Sequence, residues 1–138
     1  MVLVDSCVWI EAAKLKGDLL VKVALRSLLD ENQAAFCGPV KLEILGALRP
    51  ESRPKWLKSL STVPYLPMKD QQWDQAVRLS WSLRSKGVTA PWNDVLISSI
   101  ALKQECRVYS IDSAFQSISR VSGLPLYQPG NSGTYNPA

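Results

Sequence analysis

No histidine occurs anywhere in the chain. That excludes a Ser-His-Asp triad, a Cys-His dyad and a zinc site of the H-E-x-x-H kind. Cysteine is scarce: Cys7, Cys37 and Cys106 are odd in number, far apart, and form no C-x-x-C pair. A disulfide framework or zinc ribbon is therefore not expected, and the thiols read as buried and free, in a reducing compartment. Long apolar runs are missing too. Nothing approaches the roughly 20 residues of a membrane span. The opening Val2-Leu3-Val4 is stopped by Asp5 and has no basic flank, unlike a signal peptide. A cytoplasmic protein is the expectation. Any chemistry must run on carboxylates, hydroxyls, thiols or amines, most simply with a bound cation.

What is present suits one domain. The 138 residues are 46% hydrophobic and 20% charged, with a formal net charge of +4. A mildly basic chain allows an anionic partner. Short apolar strands are expected at Val2–Val4, Ala34–Cys37, Thr62–Leu66 and Arg107–Ile111, with a final edge strand at Leu124–Tyr127. Helices are expected at Ser6–Ala13, Leu19–Leu29, Pro39–Leu48, Pro54–Leu60, Gln71–Ser85, Asp94–Lys103 (capped by Asn93) and from Asp112 to Val121. Trp73, Ala76, Val77 and Trp81 share one side of the Gln71–Ser85 helix, which reads as a core face or, alternatively, a homodimer surface. Residues 128–138, rich in Gly, Asn and Pro, read as a flexible tail. Strands alternating with helices give an α/β fold with a mostly parallel central sheet covered on both faces. In such sheets the active crevice lies beyond the carboxyl ends of the strands.

Four acids stand in or beside apolar segments: Asp5, Glu43, Asp94 and Asp112. Asp5 and Asp112 end expected strands. Glu43 has Pro39, Val40, Gly46 and Ala47 as its helical neighbours, none able to pair with its charge. Asp94 is either a first-turn acid favoured by the helix dipole or a pocket residue, and Asp112 either a cap or a pocket residue. Carboxylates that converge repel one another and take up protons unless a cation compensates them. Oxygen donors suit Mg2+ or Mn2+, which opens a histidine-free route to phosphodiester hydrolysis. Glu11 reads as a solvated helix residue. Two basic segments could meet phosphates: Arg49 to Lys58, with Arg53, Lys55 and Trp56, and Arg84 with Lys86, just before Trp92. The same charges also read as a solvated surface.

Four segments carry a family resemblance in order: Val2 to Ile10 around Asp5-Ser6, Pro39 to Leu45 around Glu43, Asn93 to Ala101 around Asp94, and Val108 to Phe115 around Asp112. They resemble the PIN-domain family, in particular the VapC-type toxins of prokaryotic toxin–antitoxin pairs, over residues 1–127. The resemblance implies a three-layer α/β/α sandwich in a single nuclease domain. It implies a Mg2+- or Mn2+-dependent endoribonuclease, with Asp5 and Asp94 as the foremost metal ligands and Glu43 and Asp112 completing the pocket directly or through water. By the same likeness Ser6 binds a water or a phosphate oxygen. Cys7 departs from the family pattern, where Ser or Asn is common, which puts a polar role at that position in doubt. A protein antitoxin, an RNA substrate and a homodimer are the implied partners. The alternative is a non-catalytic RNA-binding or regulatory module on the same fold.

Overall fold

Strand β1 (Val2–Val4) is wholly buried, as is β2 (Ala34–Cys37). Burial of every residue, rather than every second one, means that both faces of these strands are covered. Hence the aliphatic runs without alternation. β1 pairs in parallel with β2 on one side, Val2 opposite Ala34 and Leu3 opposite Ala35. On its other side it pairs with β4 (Arg107–Tyr109), in register from Val2–Arg107 to Val4–Tyr109. The short β3 (Tyr65–Leu66) adds to β2, giving a four-stranded parallel sheet in the order β3-β2-β1-β4.

Parallel neighbours require crossovers, and helices supply them. α1 (Ser6–Ala13) and α2 (Leu19–Asp30) lead from β1 to β2. α3 (Gly38–Gly46), a single 3-10 turn (Pro50–Ser52) and α4 (Arg53–Leu60) lead to β3. α5 (Gln71–Ser85) and α6 (Trp92–Lys103) lead to β4, and α7 (Ala114–Ser122) follows it. The computed structural model describes residues 1–138 and is the expected α/β/α sandwich. Leu3, Leu28, Ile97, Ile100, Phe115 and Ile118 are among its fully buried side chains. No helix is long and apolar enough to cross a membrane. Cys7, Cys37 and Cys106 are all free.

The structure departs from the sequence expectations in several places. Leu124–Tyr127 is not a strand but a single parallel bridge, Leu126 with Val108. Pro125 has no N–H to extend the ladder, although its carbonyl accepts from the Val108 N–H at 3.0 Å. Pro64 likewise holds β3 to two residues. α6 begins at Trp92, with extended Pro91 in the cap position, so Asn93 lies inside the helix and does not cap it. On α5, Trp73, Val77 and Trp81 face outward (54%, 43% and 67% exposed), while Gln72, Ala76 and Leu83 are buried. Residues 128–138, expected to be flexible, run back over the domain. Gly133, at φ +88°, is buried against α2, where a Cβ would come within 3.0 Å of the Leu20 carbonyl and Val23. Tyr135 stacks on Tyr127, and the Asn136 carbonyl accepts from the Arg107 guanidinium at 3.0 Å.

Candidate active site

The carboxyl ends of β1 and β4 lie side by side, so the residues that follow them meet. Asp5 is the N-cap of α1, and its Oδ1 accepts from the Ser6 backbone N–H at 2.8 Å. Its other oxygen accepts from the Ser110 hydroxyl at 2.9 Å and the Cys7 thiol at 3.3 Å. Burial pushes the Cys7 thiol up to about 11, so Sγ keeps its proton and can donate. The Ser110 oxygen also accepts from the Asp112 N–H at 3.0 Å, and Asp112 Oδ1 in turn accepts from Ala114 N–H at the start of α7 at 3.0 Å. Ser110 thus ties the two strand-end acids together.

Glu43 and Asp94 come from helices. Pro39 starts α3, and the buried Val40 and Ile44 fix that helix against the core, which leaves Glu43 half-buried beside the β1 end. Burial raises its carboxyl, and the charge of Asp5 raises it further; the polar side chains of Ser6 and Asn93 act in the opposite sense. Asp94 is buried in the first turn of α6 at 7% exposure. Its carboxyl is pushed up to about 7, first by burial and then by the charges of Asp5, Asp112 and Glu43. The charges of Asp5, Asp112 and Glu43 all reach Asp94, so the four carboxyls form one electrostatic cluster; Asp112 also borders a separate cleft with Ser110 and Tyr127.

Two oxygens of that cluster, Glu43 Oε1 and Asp94 Oδ2, are buried with no hydrogen-bond partner. Unpaired buried acceptors are expensive, and no Lys or Arg comes within salt-bridge reach of either acid. The donor set is hard oxygen throughout, which fits Mg2+ or Mn2+ and suits softer thiolate-seeking metals poorly. The carboxylates do not close into a tight three-ligand cage. Magnesium needs only one or two carboxylates, completing its shell with water and substrate oxygens.

Of the other expected site residues, Ser6 is buried at the pocket and acts on Glu43. Arg84, at the end of α5, lies over the Trp92 ring, and Lys86 is exposed just beyond it. Arg53 and Lys55 lie on α4. Lys55 borders a cleft of about 480 Å3 with Trp9, Leu25, Leu29 and Trp56, and none of the four acids lines it. Trp56 packs partly against the core. Glu11 pairs with Lys14 at 3.1 Å, away from the pocket. Sequence reasoning did not find Ser110 as a site residue, nor Asn93 as a neighbour of Glu43. A hydroxyl one residue past a strand and two before an acid was the only available signal for Ser110. The doubt over a polar role for Cys7 is met by its thiol, which donates to Asp5.

A family profile described as PIN domain matches residues 2–121. The chain belongs to the PIN-domain family. Two curated relatives are 30% identical to this PIN protein over 129 residues, covering 90% of its chain and 96% of theirs: VapC ribonuclease Mb1587 of Mycobacterium bovis and ribonuclease VapC11 of Mycobacterium tuberculosis. Among solved structures, FitAcB from Neisseria gonorrhoeae superposes with a TM-score of 0.75 at 16% identity, over 93% of this chain and 97% of that one. VapBC2 from Rickettsia felis, bound to a DNA fragment from their promoter, gives 0.74 at 20% identity, over 92% and 98%. Likeness at that identity establishes the PIN-type fold.

Proposed function

We propose that this PIN-domain chain is a metal-dependent endoribonuclease that hydrolyses RNA phosphodiester bonds in the cytoplasm, as the toxin of a toxin–antitoxin pair. The observation that carries it is the pair of unpartnered, buried carboxylate oxygens on Glu43 and Asp94, two groups that both feel the charge of Asp5. The VapC ribonucleases among its relatives support the substrate class. Asp5 and Asp94 would hold Mg2+ or Mn2+, with Glu43 and Asp112 as direct or water-bridged ligands. A hard divalent cation, when bound, polarises a phosphoryl oxygen and lowers the pKa of a water toward neutrality.

The chain's own groups prepare that site. Ser110, Cys7 and the Ser6 N–H fix the orientation of Asp5. Asp94, whose carboxyl is pushed up to about 7 by burial and the neighbouring acids, would hold such a cation in its ionised form. The Ser6 hydroxyl would hold a water or a phosphate oxygen. Arg84 and Lys86 offer charge to the phosphates on the α5 side. A protein antitoxin and a second copy of the chain are the partners this reading requires, and the exposed Trp73, Val77 and Trp81 stripe is the surface for the second copy. Incubation of purified protein with RNA and Mn2+ tests the reading. Wild type should cleave, Asp5→Asn should not, and EDTA should stop wild type. Cleavage that persists in EDTA would contradict it.

A further inference from the structure

Trp92 opens α6 with its indole 65% exposed. A single exposed apolar side chain is ordinary, but two features set this one apart. The Arg84 guanidinium lies over its ring, 5.9 Å from the centroid, and no carboxylate pairs with that arginine. The two side chains also border a cleft of about 150 Å3 with Leu83, Pro91 and Val95. A flat ring, a cation beside it and an open cleft are the parts that a nucleotide uses: the ring takes the base face and the cation takes a phosphate.

Its place relative to the acids sets which nucleotide. On an α-helix, residues i and i+2 are about 200° apart around the axis, with Cα atoms roughly 5–6 Å apart. Trp92 and Asp94 therefore leave the same turn of α6 on opposite sides, Asp94 toward the acid pocket and Trp92 toward α5. The ring is not placed for the nucleotide whose phosphate meets the acids; it is placed for a neighbour on the same strand. We propose that Trp92 and Arg84 form a stacking platform for an unpaired base flanking the cleaved phosphodiester. This rests on the ribonuclease reading above and adds a specificity element to it. A base inside an A-form duplex is already stacked on its neighbours and keeps its faces covered, so the platform selects substrates whose flanking nucleotide is single-stranded. It reads that the base is free rather than which base it is, because every base has a π-face.

The test uses full-length protein, Mn2+ and a short RNA with one cleavage site. Kinetics are compared for wild type, Trp92→Ala, Trp92→Phe and Arg84→Ala, and for the same RNA with an abasic residue at each flanking position in turn. Trp92→Ala should raise KM about tenfold, in the range of base–aromatic stacking, with kcat changed less than about twofold. Trp92→Phe should recover most of the loss. One abasic position should cost wild type the same factor and cost Trp92→Ala nothing further, since both remove one contact. An unchanged KM in Trp92→Ala, or losses that multiply at every abasic position, would overturn the platform alone. So would a shift from dimer to monomer on sedimentation of Trp92→Ala, which would make Trp92 a subunit contact. Wild type that cleaves no RNA with Mn2+ would overturn the ribonuclease reading, and the platform with it.

Discussion

The two halves of the acid pocket are built differently. On the strand side, Asp5 accepts from three donors, and Asp112 both accepts from Ala114 and donates to Ser110. On the helix side, Glu43 and Asp94 each keep a buried oxygen with no partner. Burial and the neighbouring acids favour the neutral form of the Glu43 and Asp94 carboxyls. The strand side is thus finished by the protein itself. The helix side keeps unpaired oxygens, and it is the more informative half to perturb.

The largest expected effect is on cleavage. Asp94→Asn removes a charge that nothing in the chain replaces, and RNA cleavage with Mn2+ should fall by at least about a hundredfold, since even outer partners of metal ligands cost ~10–100-fold. Circular dichroism should show the fold intact. A variant that still cleaves at near wild-type rate would erase the distinction between the two sides. Ser110→Ala probes the other half. It leaves every carboxylate in place but frees Asp5 and Asp112 from each other, and a loss of about tenfold is expected, read as weaker Mn2+ activation in a cleavage assay.

A third effect appears in the pH dependence of stability. The Asp94 carboxyl titrates near 7 in the fold, against 3.8 ordinarily, because of burial and the neighbouring acids. Between those values the folded state holds a proton that the unfolded state has lost, so without metal the Asp94 contribution falls as pH rises from about 4 to 7. In EDTA, the melting temperature of Asp94→Asn minus that of wild type should therefore grow between pH 5 and pH 7.5 and then level off. A difference that is flat with pH would show that Asp94 is not under this strain. The smallest effect on the pocket should come from α5. Replacing both Trp73 and Trp81 with Lys should shift sedimentation from dimer to monomer with little change in melting temperature, as both rings are exposed.

These contrasts also mark what is legible in the chain. Asp5 and Asp112 stand out because a charge is costly at the end of a buried apolar run, and Glu43 because no helical neighbour can pair with it. The strand cores of β1 and β2 are legible for a related reason, being apolar without alternation. Periodicity fails on α5, since a stripe shows that residues share a face but not whether that face is covered; Ala76 is buried while Trp73 and Trp81 are not. Ser110 and Asn93 stay hidden because a polar residue near a loop or helix start carries no pattern of its own. Residues 128–138 look expendable by composition, yet Gly133 and Tyr135 fit against α2 and Tyr127 through shape that composition does not express.

Calorimetric titration of Mn2+ into the purified chain tests the central claim most directly, since it asks whether the orphaned oxygens await a cation. Saturable binding to wild type, lost in Asp94→Asn and weakened in Ser110→Ala, is the predicted result. Equal binding by wild type and Asp94→Asn, or none by wild type at pH 7.5, would contradict it.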